Sequence, residues 1–127
     1  MAYIYYNPNP IKDNKVGDCA VRAISKAMGC SWETAYISLC AEGMDARDLP
    51  SANYVWGNYL IKNGFRKYLI SSDCPFCTTV GEFAETHPEG VYVVATDGHV
   101  VCIEDGNIFD SWDSSSCVIL FYFAKEI

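Results

Sequence analysis

Two Asp-Gly dipeptides, Asp97-Gly98 and Asp105-Gly106, interrupt a stretch that otherwise reads "GVYVVAT", "HVVCI" and "NIFDSW". Asp-Gly between β-branched and aromatic runs signals a two-residue hairpin loop, because these residues tolerate the positive φ that such loops require. Two in succession oblige the chain to lay three strands side by side, and they also set the register. With Asp105-Gly106 as the loop, Glu104 pairs with Asn107, Cys102 with Phe109, Val101 with Asp110 and His99 with Trp112. His99, Asp110 and Trp112 then share one face, with Asp110 diagonal to the histidine, while Asn107 and Asp113 turn to the other.

Before Gly64 the apolar residues recur at helical spacing. Asp18 opens a helix through Val21, Ile24 and Met28 that stops at Gly29; Ser31 opens a second, ending near Gly43; Ser51 opens a third, ending at Asn63-Gly64. After Gly64 the pattern becomes extended, with "FRKYLI", the strands around the two Asp-Gly loops and "CVILFYFA", broken only by a short helix in "TVGEFAETHP". The expectation is an α+β fold, one domain over residues 1–127, with N-terminal helices packed on a C-terminal antiparallel meander.

Net charge narrows the partners. With 9 Lys+Arg against 16 Asp+Glu and no basic cluster, the chain is ill suited to a phosphate backbone, so no nucleic-acid partner is expected. The opening "MAYIYYNPNP" has neither a basic nor an apolar leader segment, and no apolar run is long enough to span a bilayer; the expectation is a cytoplasmic protein without membrane association. Seven cysteines, an odd count at scattered spacing, point to mostly reduced thiols, with Cys30, Cys40, Cys102 and Cys117 as small packing residues. Cys74-Pro-Phe-Cys77 has the spacing of a redox pair or of half a zinc site. No βαβ pattern, second CxxC or HxxxH accompanies it, so a loop with incidental thiols is expected and neither metal nor cofactor is assigned.

Cys19 differs from the other cysteines in its position. It follows Gly17-Asp18 at the start of the first helix, where the helix dipole and unpaired N–H groups lower a thiol pKa and can hold a developing oxyanion. Asp18 opposes this as a neighbouring negative charge. His99 at a strand end can serve as base, with Asp110 accepting the Nδ1 proton and leaving Nε2 for the thiol. Asn14 has the amide chemistry of an oxyanion donor, whereas Asp13 would repel the charge. Trp112, across from His99, can shield the imidazole and line a substrate groove.

A helix-opening Cys19 in "GDCAVRAIS", His99 in "DGHVVCI" and Asp110 in "NIFDSW", in that order, resemble the papain-like cysteine peptidase superfamily. The likeness is nearest to small bacterial and phage proteins of that fold and to the C39-like and NlpC/P60 types, and it spans residues 14 to 123. It implies a papain-like fold and a peptide or protein substrate. Cys19 would be the nucleophile, His99 the base and acid, and Asp110 the orienting member. The superfamily usually carries Gln six residues before the cysteine, where this chain has Asp13; Asn14 substitutes by chemistry alone. Two other functions are compatible with the same residues: a catalytically silent fold used as a binding module, and an acyltransferase or transglutaminase-like enzyme that passes the acyl group to an amine.

Overall fold

The computed structural model describes residues 2–13 and 15–126, and the Asn14 assignment therefore lies outside the described residues. Strand β1 (Ala2–Tyr5) is followed by helices α1 (Cys19–Met28), α2 (Trp32–Ala46) and α3 (Asn53–Lys62). Then come β2 (Phe65–Leu69), α4 (Val80–Thr86), β3 (Val91–Thr96), β4 (His99–Glu104), β5 (Asn107–Asp110) and β6 (Ile119–Lys125). The α+β class and the change of period at Gly64 are both present.

The sheet is mixed, with order β1-β5-β4-β3-β6-β2, where a meander was expected. β3, β4 and β5 do form consecutive hairpins through the two Asp-Gly loops, Thr96 facing His99 and Glu104 facing Asn107. Asp105 and Gly106 both have positive φ (51° and 77°), and the Asp105 carboxylate accepts the Gly90 N–H at 3.0 Å, tying the loop to the start of β3. β6 does not continue beside β5; it crosses to the far side of β3 and lies between β3 and β2. β1 closes the other edge in parallel with β5, Tyr5 opposite Asp110. Its largely exposed residues give no periodic signal, and pairing alone makes it a strand.

Both faces of the sheet are covered, which explains why its inner strands read as apolar runs with little alternation. On one face Ile24, Leu39, Trp56 and Leu60 from α1–α3 meet Val93, Ala95, Val100, Cys102 and Phe123. On the other, Val80, Phe83 and Ala84 of α4 meet Val94, Val101, Ile103, Ile108 and Ile119. The predicted α1 face of Val21, Ile24 and Met28 does pack inward. α4 opens with a full capping box, Thr79 and Glu82 each bonding the other's backbone N–H.

The helix ends depart locally from the sequence pattern. Gly29 stops α1 in the left-handed conformation, as expected. α2 runs past Gly43 to Ala46 and ends on a left-handed Arg47. Gly43 serves a close approach inside the helix: a Cβ there would lie 2.7 Å from the Asp48 carbonyl oxygen. Ala52, one residue after the expected Ser51, holds the cap position of α3. Cys74 and Cys77 are joined in a disulfide, which corrects the expectation of incidental thiols; the turn at Asp73–Phe76, closed by a 2.9 Å backbone bond, brings their Cα atoms to 4.6 Å. Cys19, Cys30, Cys40, Cys102 and Cys117 are free thiols, Cys102 fully buried. Among the described residues no helix is long and apolar enough to cross a membrane.

Candidate active site

The packing of α1 against β4 brings the first residue of each together. Cys19 opens the helix and His99 opens the strand. Asp110 is the last residue of β5 and is 2% exposed. The β4–β5 ladder runs only as far as Cys102 and Phe109; beyond it β5 is held by β1, with the Tyr6 N–H donating to the Asp110 carbonyl at 2.7 Å. The Val101–Asp110 and His99–Trp112 ladder pairs therefore do not form, yet the diagonal relation survives: His99 Nε2 lies 2.7 Å from Asp110 Oδ2.

That bond corrects the expected ring orientation, in which Asp110 held Nδ1. The Val100 backbone N–H and the His99 side chain both lie near enough to the Cys19 sulfur to favour its ionised form. With Nε2 on the carboxylate, Nδ1 is the ring nitrogen left for the thiol. The histidine still stands between the carboxylate and the thiol.

Asp110 is more heavily engaged than a third member of a triad requires. Its Oδ2 accepts the Ser114 hydroxyl at 2.7 Å as well as His99, and its Oδ1 accepts the Ser111 N–H at 2.8 Å and Arg22 Nη2 at 3.4 Å. Arg22 is itself buried, and its other Nη nitrogen is ion-paired with Asp18 one turn earlier. Asp18 sits at the cap position of α1 but caps no N–H with its side chain. Its carboxylate instead takes Arg22, Trp32 Nε1 at 3.0 Å and Asn9 Nδ2 at 3.3 Å. The negative charge expected to oppose ionisation of Cys19 is thus neutralised. The Asp18 side chain leaves the first-turn N–H groups uncapped, and a group such as the Cys19 N–H is of the kind that can receive an oxyanion.

Charge follows from these contacts. Burial works against ionisation of Cys19, but the hydrogen bonds from His99 and the Val100 N–H, with the positive charges of His99 and Arg22, carry its pKa below the ordinary thiol value. Burial likewise disfavours the imidazolium; the bonds to Asp110 and Cys19 outweigh it and lift His99 to about 9. Asp110 is held below the usual carboxylate range, against its own burial, by His99 and Ser114. Both shifts run in the direction that favours a thiolate beside an imidazolium over the neutral pair. The alternative nucleophile Cys102, sealed in the core, is pushed far up by desolvation.

The pair opens onto a small cleft of about 260 Å³ lined by Val16–Cys19, Arg22, Gly98, His99, Ser111 and Trp112. Trp112 lies in a bend after β5, with its ring 4.6 Å from that of His99 and tilted by 42°; it is 46% exposed, so it covers the imidazole from the solvent side. Asp113 is exposed and holds only the Ser115 N–H, away from His99. Among the described residues no group of three His, Cys, Asp or Glu side chains is placed to hold a metal ion.

Arg22, Ser114, Trp32 and Asn9 were not legible as site residues. The i, i+4 spacing of Asp18 and Arg22 gave one usable signal, since it placed the guanidinium on the same helix face as the acid. Arg22→Gln is expected to cost about 3 kcal/mol, because it breaks a buried ion pair on both sides. It should also raise the pKa of Cys19, read as an upward shift in the pH dependence of alkylation. Asp113→Ala should change neither thermal stability nor that pH dependence.

Comparison with protein-family models, curated proteins and solved structures gives no match for this chain.

Proposed function

We propose that the protein is a cysteine hydrolase of papain-like type that cleaves a peptide or related amide bond through an acyl-enzyme. The observation that carries this reading is the partly buried His99 imidazole, bonded to the Asp110 carboxylate and close to the Cys19 thiol. The Cys19 thiolate attacks the amide carbonyl carbon, and the oxygen becomes an oxyanion received by the Cys19 N–H. His99 gives its Nδ1 proton to the leaving nitrogen as the carbon–nitrogen bond breaks. A water molecule then loses a proton to the same nitrogen, adds to the thioester and releases the acid, restoring the thiol group. Asp110 keeps the imidazole oriented and charged throughout.

The test is alkylation by iodoacetamide followed by mass mapping. Cys19 should be modified at least about tenfold faster than the other free thiols at neutral pH and should stay reactive below the ordinary thiol range. Turnover should fall on the alkaline side near pH 9, where His99 loses the proton that the leaving group needs. Slow, uniform labelling of all free thiols would leave the fold as a binding module.

A further inference from the structure

A second groove of about 380 Å³ shares Val16, Gly17 and Asp18 with the Cys19 cleft, so the two are separated only by the chain that leads into α1. Ala20 and Val21 of α1 form part of its apolar lining. One wall is a stacked aromatic pair, Trp32 and Tyr36, with ring centroids 5.0 Å apart and planes within 10°. Trp32 cannot swing freely, because its Nε1 is bonded to Asp18, the residue beside the nucleophile. Pro50 and Ser51 form the opposite wall.

Charge decides what this groove can take. Among the described residues Asp18 is the only charged side chain in its lining, and its carboxylate is already occupied by Arg22, Trp32 and Asn9. A cationic occupant would find no free anion, and an anionic one no cation. What remains is an apolar lining and an aromatic platform of the size that accepts a single large side chain.

We infer that this groove is the specificity subsite of the Cys19 centre, and that it receives an aromatic or large aliphatic side chain next to the scissile amide. The inference rests on the hydrolase reading of Cys19. The shared Val16–Asp18 wall places the subsite within one or two residues of the attacked carbonyl, and the Trp32–Tyr36 stack supplies the selectivity.

Three peptidyl chloromethyl ketones test it: N-acetyl-Gly-Gly, N-acetyl-Phe-Gly and N-acetyl-Gly-Phe. Each alkylates a thiolate by forming a carbon–sulfur bond as chloride leaves. Rates at Cys19 are divided by the iodoacetamide rate of the same variant, so that thiol reactivity cancels. One of the two phenylalanyl probes should exceed the Gly-Gly probe by about tenfold or more. Tyr36→Ala, which removes half of the platform, and Ser51→Trp, which fills the groove from an exposed position, should each cut that advantage at least about threefold. If Tyr36→Ala fails to fold, Ser51→Trp carries the test alone. Equal normalised rates for all three probes, with Cys19 still the fastest thiol toward iodoacetamide, would overturn the subsite and leave the hydrolase reading standing. An advantage untouched in the folded variants would overturn it as well. A Cys19 no more reactive toward iodoacetamide than the other free thiols would overturn both.

Discussion

Cys19→Ser is expected to lower amide hydrolysis by on the order of 10⁴–10⁶-fold while shifting the unfolding free energy by less than about 1.5 kcal/mol. The activity loss follows from the ionisation that the site supports. An imidazole can hold a thiolate beside it at neutral pH, but a serine hydroxyl is far too weak an acid to exist as an alkoxide there. The small stability change follows from position. Cys19 is half-buried at the first turn of α1, the exchange is nearly isosteric, and the Val100 N–H can donate to an oxygen as well as to a sulfur. A third readout separates a nucleophile from a packing thiol. Part of what lifts His99 to about 9 is the thiol opposite it, so the variant should show a lower His99 pKa by NMR titration, still above 6.5 because Asp110 remains. Unfolding without any shift at His99 would assign the thiol to packing.

How far the site could be read in advance depended on which interactions are local. The Asp105-Gly106 loop fixes its own φ angles, so the Glu104–Asn107 register and the diagonal approach of Asp110 to His99 followed from two residues. The helix-opening position of Cys19 followed from the apolar spacing behind it. The ring orientation of His99 did not, because it depends on where α1 sets the sulfur near the Val100 N–H, an approach across about 80 residues of chain. Nor did β1: its residues pair with β5 through backbone bonds that carry no side-chain pattern. The crossing of β6 was hidden for a related reason. Its residues face two cores at once, Phe123 on the side of α1–α3 and Ile119 on the side of α4, and a strand buried on both faces gives no alternation that would name its neighbours. Asp18 was misjudged because a charge beside a thiol has a clear sign only until its own partners are known, and three of them come from outside its turn or one turn ahead.

Asp110 makes the sharpest demand on these contacts, and its two replacements should part company. The sequence alone suggests that Asp110→Ala removes an orienting group and spares the fold. Its burial and four donors change that expectation: alanine would leave Arg22 Nη2, the Ser114 hydroxyl and the Ser111 N–H without this acceptor, a loss of about 3–5 kcal/mol. Asp110→Asn keeps the shape and one acceptor oxygen, so it should retain most of the stability and serve as the cleaner probe. What it removes is the charge. The carboxylate favours the imidazolium, so without it the His99 pKa falls from about 9 toward its ordinary 6.5, and the alkaline limb of turnover should move down with it. Stability shifts in the same sense. A histidine whose folded pKa is raised contributes stability that is complete below the unfolded value and is lost as pH rises through the folded one, so the wild-type loss between about pH 6.5 and 9 should shrink in the asparagine variant. At neutral pH the amide would also bring a donor of its own toward His99 Nε2–H, Ser114 or Arg22, all donors already, and the histidine would lose its fixed orientation. Turnover should fall on the order of 10³–10⁴-fold. An Asp110→Asn protein with full activity and an unmoved alkaline limb would show that the bond to His99 holds the fold alone and that Cys19 is not served by a triad.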